Sequence, residues 1–154
     1  LENIIAVATS DAVLVTHKDR AQDVKKVVDL LKSKNVSQAE IFPKDYRPWG
    51  WFETLAIGNC FQVKRIFIKP NASISLQSHR YRSEHWVIVN GSAQVTIEDE
   101  VKMIAEGQSV FVPQGSVHRI ENLDKMSLVL VEVQIGSYLG EDDIVRYEDI
   151  YARK

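Results

Sequence analysis

The chain has 154 residues, of which 45% are hydrophobic and 26% are charged, so it can build a core and is not predicted to be disordered. Its 19 basic and 21 acidic side chains leave a net charge of −2, which gives no support for a general binder of nucleic acid or of anionic membranes. No apolar run approaches the ~20 residues needed to span a bilayer, and Leu1-Glu2-Asn3 is unlike the start of a signal peptide. Cys60 is the only cysteine, which excludes an internal disulfide and favours the reducing cytoplasm.

Residues 4–35 predict two short strands and one helix. Apolar runs at residues 4–8 and 12–15 flank the polar turn Thr9-Ser10-Asp11. For the helix, Asp19 is the expected N-cap, and Gln22 has capping-box spacing. An apolar stripe follows at i, i+3, i+4 and i+7, formed by Val24, Val27, Val28 and Leu31. Such a unit is too small to hold its own core, so we expect it to pack on another surface.

From about residue 43 the pattern changes to short strands. Runs rich in Val, Ile, Phe and Thr are typical of strands at residues 61–69, 84–90, 93–98, 109–112 and 128–135. Ala93, Val95 and Ile97 alternate with polar residues, as in a strand with one buried face. Many short strands at close spacing predict a mainly β domain, either an antiparallel sandwich or a small barrel.

Four polar side chains in this β region have the spacing of a metal site. Gln77 and His79 lie two apart and share one strand face, Glu84 opens the next strand, and His118 follows a Pro/Gly turn into a later strand. An amide oxygen, a carboxylate and two imidazoles suit a divalent cation. Gln77 could instead be a hydrogen-bonding partner of the ligands, and Asn122 either supports the site or is a polar core residue.

The stretches around these residues resemble one known family closely. They are Arg47–Gly50, Ser75–His79, Arg82–Trp86, His118–Asn122 and Glu132–Arg146. Over about residues 43–153 they are similar to the type II mannose-6-phosphate isomerase domain of the cupin superfamily. Gln77 stands where many cupins have their first histidine, and Asn71 where the first motif usually begins with Gly. Phosphomannose isomerases are understood to use Gln, His, Glu and His at the ligand positions, which correspond here to Gln77, His79, Glu84 and His118.

The resemblance implies a cupin double-stranded β-helix, or jelly-roll barrel, for residues 43–154. Residues 1–42 are similar to the end of the guanylyltransferase half of a bifunctional mannose-1-phosphate guanylyltransferase/mannose-6-phosphate isomerase, followed by a linker, and form a short αβ segment. The Gly-rich nucleotide-binding part of that half is not in the sequence, so this stretch is not expected to make GDP-mannose. A start without Met agrees with an excised C-terminal piece.

The activity that the resemblance implies is the metal-dependent interconversion of mannose 6-phosphate and fructose 6-phosphate, which supplies mannose for GDP-mannose and polysaccharide synthesis. Zn²⁺ is the expected ion, with Mn²⁺, Co²⁺, Ni²⁺ and Fe²⁺ as alternatives. A metal would polarise the carbonyl and stabilise the enediolate. A guanidinium suits bidentate phosphate binding, so Arg146 and then Arg82 are the first candidates to hold the substrate.

Further site residues follow from the same resemblance. The other candidates to bind the substrate are Lys64, Arg80, Arg119 and Tyr138. The base is expected among the carboxylates of the turn after Gly140, above all Glu141 and Asp143, or in His85. If Glu84 points inward, however, its neighbour His85 points outward.

Two other functions are compatible with the sequence. The chain could be a non-catalytic sugar-phosphate-binding or dimerising module of a mannose-1-phosphate guanylyltransferase, or a cupin that isomerises or epimerises another sugar phosphate. A homodimer is expected in either case, because the apolar strands at residues 4–15 need a partner surface.

Overall fold

The computed structural model describes residues 2–9, 12–36, 39 and 44–151. Its contacts divide the chain into two compact units, residues 1–43 and 44–154. The turn residues Ser10 and Asp11, most of the predicted linker and Pro43 lie outside the described residues. Within the described part, no helix is both long enough and apolar enough to cross a membrane.

The N-terminal unit is a hairpin followed by a helix. Strands β1 (Ile4–Ala8) and β2 (Val13–His17) pair antiparallel, with Ile4 opposite His17. A 3₁₀ turn at Lys18–Asp23 leads into helix α1 (Val24–Ser33). The two predicted strands and the helix are therefore confirmed, although no side chain in the described helical segments is fully buried.

The predicted start of the helix is wrong. The residue that caps the first turn is His17, whose Nδ1 accepts from the backbone N–H of Asp19 at 3.3 Å. Asp19 and Gln22 lie within the 3₁₀ turn, and the α-helix begins only at Val24. Asp23 precedes it without capping it, because its carboxylate accepts instead from Arg20 and Lys26.

The C-terminal unit consists almost entirely of strands. They are β3 (Lys44–Arg47), β4 (Gly50–Ile57), β5 (Phe61–Ile68), β6 (Ala72–Ser73), β7 (Leu76–His79), β8 (Arg82–Asn90), β9 (Ser92–Ile97), β10 (Glu100–Ala105), β11 (Ser109–Val112), β12 (His118–Asn122), β13 (Leu128–Gly136) and β14 (Ile144–Glu148), with a single 3₁₀ turn at Glu141–Asp143 before β14. The five strands predicted from composition are all present, within two residues at each end. The shorter and more polar strands β3, β6, β7, β12 and β14 lack the apolar run on which such a prediction depends.

These strands form two antiparallel sheets around one core. One sheet has the order β11-β8-β13-β5-β4-β3, and the other has the order β10-β9-β12-β7-β14, with β6 beside β12. Ile66 and Leu130 of the first sheet share a buried apolar cluster with Val95 and Ile120 of the second, so the sheets pack face to face. The predicted antiparallel β architecture is confirmed.

The inward-facing positions change from apolar to polar along the strands. In β13, Leu128 and Leu130 are followed at the same parity by Glu132 and Gln134, and all four are buried. In β8 the inward residues at the corresponding end include Arg82 and Glu84. Because side chains two apart share one face of a strand, these polar groups are directed into the space between the sheets.

Two loop residues have a left-handed backbone conformation. Asn71, between β5 and β6, has φ = +54°, a left-handed conformation that Asn tolerates and Gly adopts most easily. Gly115 has φ = +84°, and its N–H donates to the carbonyl oxygen of His79 at 2.8 Å. That bond draws the turn before His118 towards the strand that carries His79.

Candidate active site

Three strands bring the predicted ligands together. Gln77 and His79 lie on β7, Glu84 lies on β8, and His118 lies on β12, where it pairs in register with Gln77. One ligand atom each from His79, Glu84 and His118 lies within 4.8 Å of the other two, and all three residues are buried. Atoms that share one zinc ion at about 2.0–2.2 Å lie ~3–4 Å apart, so these three residues could hold a metal ion after a small adjustment of their side chains.

Glu84 is the negative centre of this cluster. Its Oε1 lies 3.1 Å from His79 Nε2, and its Oε2 lies 3.7 Å from His118 Nε2. Arg82 Nε donates to Oε1 at 3.2 Å. Burial acts to raise the pKa of Glu84, but the hydrogen bond and charge of His79, with the charges of His118 and Arg82, outweigh it and leave the pKa well below its usual range. Glu84 is therefore a carboxylate available to a cation.

His118 is held in the form that a metal requires. Its Nδ1 donates to the carbonyl oxygen of Ser116 at 2.9 Å, so Nε2 carries the free lone pair. This buried Nε2 has no hydrogen-bond partner among the described residues. Burial lowers the pKa of His118, although the charge of Glu84 opposes the shift. A neutral imidazole with an unpartnered nitrogen that faces a carboxylate fits a divalent ion.

Gln77 turns the nitrogen end of its amide towards the cluster. Ser75 Oγ donates to Gln77 Oε1 at 2.9 Å, while Gln77 Nε2 lies 3.4 Å from His79 Nε2. A ligand role needs the amide to be reversed so that the oxygen faces the ion, and the two orientations have the same shape. Gln77 therefore stands beside His79 in either role, as a ligand or as a hydrogen-bonding partner of the ligands.

Three buried polar residues extend the cluster, and the sequence patterns did not single them out. Trp86 Nε1 donates to Glu84 Oε2 and to Glu132 Oε1, both at 3.1 Å. Gln134 Nε2 donates to Glu84 Oε1 at 3.2 Å and to Glu132 Oε2 at 2.8 Å. Burial and the charge of Glu84 raise the pKa of Glu132 to about 8. Glu132 and Gln134 could have been found from the alternation of side chains along a strand, because both continue the inward face of the apolar strand β13.

A cavity of about 50 Å³ adjoins the cluster and is lined by basic side chains. Lys64, Arg82 and Arg146, all predicted to bind the substrate, line it together with Arg47, which was not predicted. Lys64 is buried and forms an ion pair with Glu141. Arg146, in contrast, makes no ion pair with any described residue. Of the predicted bases, Glu141 is the one that lines the cavity.

Three predicted site residues point away from the cavity. His85 is exposed on the outer face of β8, where its ring packs on Phe111 at a centroid distance of 4.6 Å. Arg119 lies on the outer face of β12, beside Glu121 and Glu148 at 3.2 Å. Arg80 is exposed, with its guanidinium over the ring of Tyr81. The alternation of strand side chains explains the first two placements, because Glu84 and His118 take the inward positions.

Asp143 and Tyr138, also predicted for the site, shape the loop before β14 instead. The buried Asp143 carboxylate accepts from the backbone N–H groups of Arg80 and Tyr81, both at 3.1 Å, which ties this loop to the end of β7. Tyr138 is exposed and its hydroxyl donates to Asp142 at 2.7 Å. Neither residue lines the cavity described above.

Asn122 is a polar core residue. Its Nδ2 donates to the carbonyl oxygens of Ile68, Lys69 and Met126 at 2.8 to 3.2 Å, and its Oδ1 accepts from the N–H of Asp124. All of these bonds are to backbone. Asn122 therefore fixes the loop between β12 and β13 and has no hydrogen bond to the cluster of His79, Glu84 and His118.

Family models match both units of the chain. The model described as mannose-6-phosphate isomerase C-terminal matches residues 34–149. A second, described as a MannoseP isomerase/GMP-like beta-helix domain, matches residues 1–31. The first covers most of the sequence and includes every residue of the cluster and of the cavity.

Curated relatives align along almost the whole chain. The xanthan biosynthesis protein XanB of Xanthomonas campestris pv. campestris (strain B100) is 54% identical over 99% of this chain. The alginate biosynthesis protein AlgA of Pseudomonas aeruginosa is 50% identical, and the mannose-1-phosphate guanylyltransferase ManC of Salmonella typhimurium is 45% identical, again over 99% of this chain. The chain spans about a third of the length of these relatives, 33% of the first and 32% of the other two.

Solved structures share the fold at low identity. An RmlC-like cupin from Shewanella frigidimarina superimposes with a TM-score of 0.58 at 19% identity, over 67% of this chain and 88% of that one. Oxalate decarboxylase from Bacillus subtilis superimposes with a TM-score of 0.60 at 22% identity, over 67% of this chain and 29% of that one. The expected cupin fold is thereby confirmed. The chain belongs to the mannose-6-phosphate isomerase C-terminal family and has the cupin double-stranded β-helix fold.

Proposed function

We propose that this chain is a metal-dependent isomerase domain that interconverts mannose 6-phosphate and fructose 6-phosphate. The observation that carries the proposal is the meeting of His79, Glu84 and His118 beside a cavity that Glu84 lines, in a chain of the mannose-6-phosphate isomerase family. We call the part of this cavity that is lined by Arg47, Lys64 and Arg146 its mouth. A buried cation site suits the oxygen atoms that gain charge during the reaction, and a basic mouth suits a phosphorylated sugar.

His79, Glu84 and His118 would hold the metal, with Gln77 as a fourth ligand once its amide is reversed; we propose Zn²⁺, with Mn²⁺, Co²⁺, Ni²⁺ or Fe²⁺ as alternatives. The ion would polarise the carbonyl group of the open-chain sugar and stabilise negative charge on its oxygens. Arg82 holds the anionic Glu84 in place, since it donates to that carboxylate and also to the carbonyl oxygen of Gly140.

The remaining requirements are an anion site and a group that moves a proton between C1 and C2. Arg146 and Lys64 are the proposed partners of the phosphate, since both line the mouth and Arg146 is not neutralised by any described carboxylate. We assign the proton transfer to Glu132 rather than to the predicted Glu141, Asp143 or His85. Glu132 lies beside Glu84 and lines the same cavity, next to the cation site that the reacting carbons would approach.

A coupled assay on metal-loaded protein tests the proposal. Mannose 6-phosphate is supplied, and the fructose 6-phosphate that forms is consumed by the coupling enzymes. We expect turnover that a chelator abolishes and added Zn²⁺ restores, and we expect His79→Ala to lose it. Full turnover by His79→Ala at saturating substrate would refute the metal mechanism, and turnover of a different sugar phosphate alone would refute the proposed substrate.

The longer protein is proposed to carry a mannose-1-phosphate guanylyltransferase domain as well. The support is the relative ManC, which is named for that activity, together with the third of its length that this chain spans. We do not expect the stretch described here to make GDP-mannose. An assay for GDP-mannose formation on the chain alone and on the full-length protein tests both statements.

We also propose that the chain forms a homodimer. Val13 and Val15 of β2 are exposed at 74% and 65%, which leaves apolar surface that a partner could cover. A mass twice that of the chain, measured by light scattering at micromolar concentration, is the expected result. A monomer under those conditions would contradict it.

A further inference from the structure

The mouth of the cavity already contains a negative charge, which is the carboxylate of Glu141. Glu141 lies in the 3₁₀ turn before β14, and its Oε1 forms an ion pair with Lys64 Nζ across 77 residues of sequence. The Lys64 side chain is 5% exposed and the Glu141 side chain is 44% exposed. A lysine that is buried to this extent needs a counter-ion, because burial of an unpaired ammonium is costly.

The other cations at the mouth differ from Lys64. Arg47 is held by Asp45 through two contacts, at 2.7 and 3.1 Å, and Arg82 by Glu84 and the carbonyl oxygen of Gly140. Arg146 is exposed and makes no ion pair with the described residues. Lys64 is therefore the paired cation whose partner can leave most easily, because Glu141 holds it through a single oxygen and can rotate into solvent.

The small volume of the cavity favours such a movement. Its volume of about 50 Å³ holds a few water molecules and not a hexose phosphate. Glu141 lines the cavity together with Lys64 and Arg146, so the space that a phosphate group would need next to these cations is the space that the carboxylate takes. Rotation of the carboxylate opens this space and frees Lys64 in the same step.

We propose that Glu141 takes the place of the substrate phosphate in the free protein and is displaced when a sugar phosphate binds between Lys64 and Arg146. This inference rests on the proposed function for the identity of the sugar, but not for the anion site. Glu141 is then not the base that the sequence suggested. It keeps Lys64 charged and oriented until a phosphate arrives, and it competes with every anion at the mouth.

The test is anion binding, measured by calorimetry on the folded chain with inorganic phosphate and, separately, with mannose 6-phosphate. Glu141→Gln removes the competing charge, and we expect both ligands to bind about 5-fold tighter or more, as for the loss of one half-exposed ion pair. Lys64→Met should abolish the gain in the double variant. Glu53→Gln is the matched control, because it removes a carboxylate from an ion pair with Arg65 outside the cavity and should leave both affinities unchanged.

The outcomes separate this inference from the proposed function. If Glu141→Gln binds both anions more tightly but no variant isomerises mannose 6-phosphate, the anion site stands and the isomerase proposal fails. If the variant binds phosphate no more tightly than the wild type, or more weakly, the inference is overturned. It is also overturned if kcat of the isomerase falls about 100-fold or more while the affinities stay constant, because Glu141 would then be a catalytic carboxylate.

Discussion

Glu84 and Glu132 share one hydrogen-bond donor: the indole Nε1 of Trp86 lies 3.1 Å from an oxygen of each. Gln134 Nε2 also bridges them, at 3.2 and 2.8 Å. Two buried carboxyl groups that share a hydrogen-bond donor in this way do not both ionise readily, since each negative charge opposes the other. The pair therefore separates into a charged Glu84, which faces the imidazoles, and a Glu132 that retains its proton over a wider pH range.

The first prediction concerns the shared donor. Trp86→Phe keeps most of the ring in the core but leaves an oxygen of each carboxyl group without its indole N–H. We expect a loss of about 1–3 kcal/mol in the free energy of unfolding. Trp49→Phe is the matched control, because Trp49 is equally buried but its Nε1 has no hydrogen-bond partner among the described residues. Denaturant unfolding measures both, and equal losses in the two variants would contradict the role of the shared donor.

The second prediction concerns the pH dependence of stability in metal-free protein. Since the pKa of Glu132 is raised from 4.5 to about 8, the folded state binds this proton more tightly than the unfolded state does. The contribution is complete below the unfolded value and is lost as the pH rises through the folded value. Glu132→Gln removes this loss of stability, and Gln134 can accept from the new amide, since its Oε1 has no hydrogen-bond partner among the described residues.

We therefore compare the wild type with Glu132→Gln in denaturant unfolding at several pH values. Between about pH 4.5 and about pH 8, the stability of the variant relative to the wild type should increase steadily. His118 contributes equally to both proteins, so the comparison cancels it. A constant difference across this range would show that Glu132 has an ordinary pKa.

The third prediction assigns the proton transfer. Glu132→Gln should lower kcat of the isomerase by about 100-fold or more, with little change in KM, because we assign Glu132 to the reacting carbons and not to the phosphate. Glu141→Gln should leave kcat nearly unchanged and lower KM. Initial rates across a range of mannose 6-phosphate concentrations measure both constants. The reverse pattern, with kcat lost in the Glu141 variant, would return the base to the place that the sequence suggested.

The fourth prediction separates the ligands of the metal. His118→Ala should lower Zn²⁺ affinity more than 100-fold, because it removes the unpartnered Nε2 from the cluster. Gln77→Leu should lower the affinity by about 10–100-fold, as expected for a weak amide ligand or a group that orients His79. Gln94→Leu is the matched control, because Gln94 bonds to Glu121 and does not line the cavity. Competition against a chromophoric chelator gives the affinities, and a Gln77 variant equal to its control would exclude any role at the metal.

The sequence by itself determined the set of candidate ligands and the type of fold. Gln77 and His79 share a strand face at a spacing of two, and alternation along β8 turns Glu84 inward and His85 outward. These are local properties, since the period of a strand does not depend on its neighbours. The start of the helix is also set by local contacts, but it was not predicted correctly. Asp23 accepts from Arg20 and Lys26, and the first turn becomes a 3₁₀ turn.

Only the tertiary structure decided which charges meet. Glu132 appears in the sequence as one of two polar side chains within an apolar strand, and it reaches Glu84 because β13 pairs with β8 along nearly its whole length. Lys64 and Glu141 are brought together by the packing of β5 and the loop before β14, whereas Arg80 and Arg119, equally plausible in the sequence, face outward. These contacts depend on which strands pair across long distances in the sequence, and the residue types alone do not show which strands are neighbours.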